Sequence, residues 1–188
     1  MNNQARRSLT MAASLAALTV AVSSSFVDPA TAVPESPSSG LPTTIPQNAR
    51  RVDSENFSFT RSSSVSSTPG VTAAAAGTIA CELKVNDPHD SHHVNGSVNG
   101  TATVKCTAPM QSIFLSVALF RDGNLLPGAY NNTGYNKSQW SGNHAVPCAN
   151  GTYVTGGRTR VVAPAGYSPA VWETATIFSP HDAKIICD

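Results

Sequence analysis

The sequence predicts an all-β domain stapled by disulfides, and three observations carry that expectation. Apolar residues in the second half of the chain recur at every other position, the period of a half-buried strand, and no segment there repeats at the helical 3.6. Gly, Pro, Asn and Asp punctuate these runs at short intervals, as turns do. Four cysteines, Cys81, Cys106, Cys148 and Cys187, all lie within the alternating part, and an even set in an exported chain reads as two structural bridges.

Export is expected from the N-terminus. Arg6 and Arg7 form a basic n-region, Met11 to Val22 is an apolar run too short to span a bilayer, and Ala30-Thr31-Ala32 is an A-x-A cleavage pattern. Residues 1–32 are therefore read as a signal peptide, and the paired arginines are compatible with either the general or the twin-arginine route. No second long apolar run is present, so no membrane span is expected and the protein is expected to be secreted. Residues 33–77, rich in Pro, Ser and Thr, are read as a disordered leader whose few large apolar side chains cannot offset the entropy of ordering a backbone. Within it, Arg50-Arg51 has two readings, a processing site and a pair of solvated charges.

The domain is placed at residues 78–188, enough for one modest core. Its first strand is Thr78 to Val85, with Ile79, Cys81, Leu83 and Val85 on one face and Glu82 and Lys84 on the other. Ser97 to Cys106 follows, with Val98, Ala102, Val104 and Cys106 inward and Thr101, Thr103 and Lys105 outward. Ser112 to Phe120 is apolar on both faces, as a strand covered on each side would be. Asp122-Gly123 forms the tip of a hairpin into Asn124-Leu125-Leu126. Further strands are expected at Asn143–Cys148, Thr152–Val162, Val171–Phe178 and Ala183–Cys187, with Pro164 to Pro169 as a loop or corner. Trp172 and Phe178 are assigned to the core. About seven strands of this kind make an antiparallel β-sandwich, and Tyr153 after Gly151-Thr152 resembles the tyrosine corner of immunoglobulin-like domains, so the expected fold is an immunoglobulin-like sandwich.

Cys81 and Cys106 sit on inward faces of strands flanking one loop, which leaves Cys148 for Cys187. This pairing is one of three that four cysteines allow. Loop-closure entropy alone gives such bridges a contribution of roughly 3.5 and 4 kcal/mol.

The run from Cys81 through Asn86-Asp87-Pro88-His89-Asp90-Ser91-His92-His93 and Gly96-Ser97-Val98-Asn99 to Cys106-Thr107-Ala108-Pro109 resembles small exported proteins of high-GC Gram-positive bacteria. Val117 to Gly123, Pro147-Cys148, Gly151-Thr152-Tyr153 and Gly166-Tyr167-Ser168-Pro169 fit the same pattern. The resemblance spans the domain and none of the leader. It implies export and a two-disulfide β domain, and it implies no activity.

Charge excludes some partners. Lys84, Lys105, Arg121, Lys137, Arg158, Arg160 and Lys184 balance Glu82, Asp87, Asp90, Asp122, Glu173, Asp182 and Asp188, whereas nucleic acid and anionic membranes demand a basic face. Catalysis has little to stand on. There is no G-x-S-x-G elbow or phosphate-cradling loop, no thiol is free once both bridges form, and no carboxylate pair stands in a recognisable acid–base setting. No cofactor and no reaction are expected.

Two surfaces remain. In Gly128 to Ser141, Tyr130, Tyr135 and Trp140 stand among Asn, Gly and Ser, the composition of binding loops in which rigid aromatics supply contact area. The competing reading is a polar edge hairpin whose aromatics fold back over the core. His89, His92 and His93 crowd one loop with Asp87 and Asp90, a donor set that suits zinc, copper or nickel, though histidines of a polar loop also serve as solvated or turn-bonded side chains. His144 lies elsewhere, and Pro180-His181-Asp182 echoes Pro88-His89-Asp90. The N-x-S/T sequons at Asn95, Asn99, Asn131, Asn136 and Asn150 follow from turn-rich composition. The expected function is a secreted, non-catalytic binding module for a cell-surface glycan or protein partner. The alternatives are a metal-binding protein built on the histidine loop, and a small extracellular enzyme inhibitor or hydrolase.

Overall fold

The computed structural model of the chain describes residues 40–61, 77–91 and 96–187. Among these residues there is no helix, and hence none long and apolar enough to cross a membrane. The strands, in chain order, are β1 (Ser54–Arg61), β2 (Gly77–Val85), β3 (His89–Asp90), β4 (Ser97–Arg121), β5 (Asn124–Leu125), β6 (Tyr130–Pro147), β7 (Gly151–Val162), β8 (Tyr167–Ser168), β9 (Val171–Glu173), β10 (Ile177–Phe178) and β11 (Ala183–Ile185). All belong to one antiparallel sheet that curls nearly into a barrel.

The curl originates in β4 and β6. Two strands expected from the sequence, 97–106 and 112–120, are one 25-residue strand that turns a corner. Up to Lys105↔Gln139 and again from Met110↔Lys137 the β4–β6 register is regular, but between them Cys106 to Pro109 face Ser138 alone. Extra residues on one strand bend it and deepen its twist, and Pro109 has no N–H to continue the ladder. Asn136, at φ 53°, makes the matching bend in β6. The ribbon therefore doubles back. One arm, 97–105 with 139–147, continues into β2 and β1, while the other, 110–121 with 130–137, continues into β7. Close approaches show the two arms facing each other: a methyl at Gly100 would lie 2.7 Å from Leu119, and one at Gly157 would lie 2.5 Å from Val85.

The alternation expected for the core is present. Ile79, Cys81, Leu83, Val85, Val98, Ala102, Val104 and Cys106 are all buried, as is every residue from Ile113 to Phe120. That last stretch is apolar on both faces because β4 there lies between β6 and β7. Asp122 (φ 50°) and Gly123 (φ 83°) form the expected hairpin tip, both in the left-handed region that a two-residue turn between twisted strands requires. The disulfides are Cys81–Cys106 and Cys148–Cys187. Cys81 and Cys106 are directly opposed, at the last β2–β4 pair before the corner. Tyr153 is fully buried, and its hydroxyl donates to the Ala149 carbonyl at 2.8 Å.

The domain boundary at residue 78 is corrected. Residues 40–61, read from the sequence as part of a disordered leader, belong to the fold. In β1, Phe57 and Phe59 alternate inward and the strand pairs with β2 over its whole length. Burying a phenylalanine contributes about 1.5–3 kcal/mol, which a composition averaged over the surrounding Ser- and Pro-rich stretch conceals. Ahead of β1, Leu41, Ile45 and Ala49 pack on the cluster of Ala118, Phe120, Val154 and Phe178. Ile45 N–H bonds the Gly123 carbonyl, and Arg51 bridges Phe178 in parallel. Arg50 and Arg51 are ion-paired with Glu55 and Asp182 at 2.9 and 2.7 Å.

Other elements differ in extent. The late strand expected at 171–178 divides into β9, with Trp172 stacked on Phe57 at 5.7 Å, and β10, with Phe178 against Phe120. The expected 164–169 corner carries β8, which pairs with β1 as β9 pairs with β7. Residues 167–173 thus bridge the two edges of the curled sheet, across a cis Ser168–Pro169 bond.

A chain beginning at Thr78 should lack the cooperative melting transition of one beginning at Gly40, and Phe59→Ala in the longer chain should cost about 3–5 kcal/mol in urea unfolding. Equal melting temperatures for the two lengths would contradict the enlarged boundary.

Candidate binding surface

The aromatic trio is dispersed by the fold. The segment 128–141, read as a binding loop, is for the most part strand β6, and its side chains follow the strand's faces. Tyr130 and Trp140 are half-buried against the main core. Trp140 covers Gly134, where a methyl would lie 2.6 Å from the indole, and Tyr130 covers Gly142, where it would lie 2.3 Å from the ring. Each aromatic fills the space that the facing arm's glycine leaves open. Tyr135 alone is exposed, at 60 %. The reading in which aromatics fold back over the core therefore describes Tyr130 and Trp140.

Of the histidine loop only His89 is described. His89 is exposed in β3, opposite Asn99, while His92 and His93 lie outside the described residues. Among the described residues no three His, Cys, Asp or Glu side chains are placed to hold a metal ion. The 86–90 and 180–182 segments do meet: His181 donates its backbone N–H to Asp87 Oδ1 at 3.2 Å, and its Nδ1 lies 2.9 Å from Asp87 Oδ2. This pair borders an open hollow of about 270 Å³ shared with Asp53 and Lys84. His144 is buried. Its Nδ1 accepts the Leu119 N–H at 2.9 Å and its Nε2 lies 2.9 Å from the Pro127 carbonyl, and burial holds its pKa below the usual imidazole value.

What register assembles, and residue order does not display, is a polar platform on the outer face of β1, β2 and the first β4–β6 arm. Directly opposed residues form rows across four strands. One row is Asn56–Glu82–Lys105–Gln139, and the next is Ser54–Lys84–Thr103–Ser141. A third begins with Asn86, whose amide donates to Thr101 Oγ1 at 2.8 Å, and runs on to Asn143. The Thr103 and Ser141 hydroxyls bond each other at 2.9 Å, and the Asn143 amide donates to Asn99 Oδ1 at 3.3 Å. These bonds fix side chains that would otherwise lose rotamer freedom on meeting a ligand. Two shallow hollows open here, one of about 330 Å³ over Asn56, Glu82, Lys105 and Thr107, the other of about 360 Å³ over Thr101, Thr103, Ser141 and Asn143. The outward positions of Thr101, Thr103, Lys105, Glu82 and Lys84 are legible from alternation; their assembly into rows depends on register.

Compared with protein-family models, with curated proteins and with solved structures, the chain has no significant match in any of the three.

Trp140→Ala should destabilise the fold by about 2 kcal/mol or more, because it uncovers Gly134 and the core beneath, while Tyr135→Ala should stay within about 0.5 kcal/mol of the parent. Urea unfolding of both variants checks this, and the reverse order would contradict the placement of β6.

Proposed function

We propose that the protein is exported and acts outside the cell as a non-catalytic binding module, with the polar platform as its site and a glycan as its ligand. The observation that carries this reading is the set of cross-strand rows, which present hydroxyl, amide, carboxylate and ammonium groups side by side on a rigid sheet. Protein interfaces centre on an apolar core. The rows named above contain no large apolar side chain, and their alternating donors and acceptors match a ligand that is itself a regular array of hydroxyls. Export is supported by the basic and apolar N-terminal segments with the Ala30-Thr31-Ala32 pattern, and by two disulfides, which persist in oxidising surroundings. Kinship with immunoglobulin-like domains is part of the same proposal, supported by the Tyr153–Ala149 bond.

The test is retention on immobilised polysaccharides, cell-wall glycans included. Thr103→Ala combined with Ser141→Ala should lower retention at least tenfold on the glycan that the parent binds, with the melting temperature nearly unchanged, while Tyr135→Ala binds as the parent does. Retention that survives the double substitution but falls with Tyr135→Ala would move the site to the β6 corner. Turnover of the glycan, or binding that requires added zinc or copper, would replace this reading with a catalytic or metal-dependent one.

A further inference from the structure

His144 occupies an unusual position in the ladder. On the second arm, β4 pairs with β6 as far as Val117↔Tyr130, and with the hairpin strand β5 from Phe120↔Leu125. Between these pairings the Leu119 carbonyl accepts the Leu126 N–H, but the Leu119 N–H has no backbone partner on that side. His144 reaches it from the facing arm. Its Nδ1 accepts the Leu119 N–H, so Nδ1 carries no proton, and in the neutral ring the hydrogen must sit on Nε2, from which it is donated to Pro127. One imidazole thus replaces a peptide unit in the sheet and ties both the second arm and the 126–129 loop to β6. Gly128, at φ 88°, lets the loop pass close beside the ring: a methyl there would lie 3.5 Å from Nε2.

A second proton on the ring would set an N–H against the Leu119 N–H. No tautomer of imidazolium has an acceptor, so the bond is lost and a buried donor is left bare. Among the described residues, nothing facing the ring offsets that charge. Both hydrogen-bond partners of the imidazole are backbone groups. Residues 97–101, the neighbours Asn143 and Ala145, and the 125–129 loop carry no ionisable side chain. Tyr130 reaches toward the Ser141 carbonyl, Tyr153 bonds Ala149, Arg121 lies along Gly151, and Asp122 accepts the Thr152 N–H.

We infer that His144 is an acid-released latch: neutral, it locks the 126–129 loop and the two arms together, and protonated, it frees them. The latch lies on the strand whose outward residues Ser141 and Asn143 belong to the platform, but it stands on the hydrogen bonds alone, whatever the platform binds. The direction of the pH dependence is fixed. Burial lowers the folded-state pKa, whereas the unfolded chain titrates near the ordinary value of about 6.5. Between those two values the unfolded chain holds the extra proton, so the stabilisation is complete above about pH 6.5 and is lost as the pH falls through the folded pKa.

Nitrogen-detected NMR of the intact, disulfide-bonded protein is the test. At pH 7.5 the His144 ring should show the Nε2–H tautomer. Its titration midpoint should lie below 6.5, and the protection factor of the Leu119 amide, corrected for the intrinsic pH dependence of exchange, should fall at least tenfold through that midpoint, with shifts at Leu126 to Ala129. His144→Asn, which keeps an acceptor but cannot titrate, should flatten the change of the urea midpoint between pH 7 and pH 5. If that variant does not fold, the wild-type spectra decide alone. Unchanged Leu119 protection across the titration, or a proton on Nδ1 at neutral pH, would overturn the proposal.

Discussion

Trp140 rests on Gly134 and Tyr130 on Gly142, although each pair belongs to a single strand. In a straight strand positions six apart, as Gly134 and Trp140 are, lie about 20 Å from each other, and positions twelve apart, as Tyr130 and Gly142 are, about 40 Å, so these contacts exist only because the β4–β6 ribbon folds over on itself. The corner at Cys106 to Pro109 is the constraint on which the other features depend. It turns one long hairpin into two facing arms, gives each arm an inner and an outer face, and brings β2 and β7 to opposite layers. The Cys81–Cys106 bridge sits at the mouth of that corner and ties the first arm to β2 at the point where the backbone ladder ends. The Ala80 N–H, just beyond, is taken by the Thr107 hydroxyl at 3.1 Å.

Around this corner the interior divides into a main cluster and two smaller ones. Each small cluster has its own closure. Val98, Leu119, Tyr153 and Ile185 lie beside the Cys148–Cys187 bridge, which holds the end of β6 to the segment after β11. Ala118, Phe120, Val154 and Phe178 are roofed by the segment before β1. A domain of this size buries a limited apolar area, and covalent and strap-like closures at its ends compensate by restricting the unfolded chain or by adding contacts. The platform on the opposite face inherits its rigidity from this arrangement: its strands are pinned from below by the core and laterally by the disulfide.

Much of this was legible in the residues. Alternation placed Ile79, Leu83, Val85, Val98 and Val104 inside, and the doubly apolar 113–120 run showed a strand between two neighbours, because both patterns depend on local period alone. The Asp122-Gly123 tip was likewise local, and the cysteine pairing, one of three that four cysteines allow, followed from Cys81 and Cys106 standing on inward faces of strands that flank one loop. Three features were hidden for definite reasons. SENFSFTR alternates well enough to be a strand, but its neighbours are Ser, Thr and Pro, so averaging assigned it to a leader. The polarity of 130–141 reflects an edge strand with one wet face, which has the composition of a loop. The platform rows and the His144–Leu119 bond join residues 15 or more positions apart, and no property of a single segment announces a register.

A glycan-binding role and the latch at His144 both require that the two arms face each other as described. The most direct measurement is the through-space contact between the Trp140 indole and the Gly134 α-protons in the solution NMR spectrum. The account predicts a strong cross-peak and an upfield shift of the Gly134 α-protons from the indole ring current, with a matching contact between Tyr130 and Gly142. A spectrum in which Gly134 lies far from Trp140, with α-protons at ordinary shifts, would mean that the ribbon runs straight, and the account would fail with it.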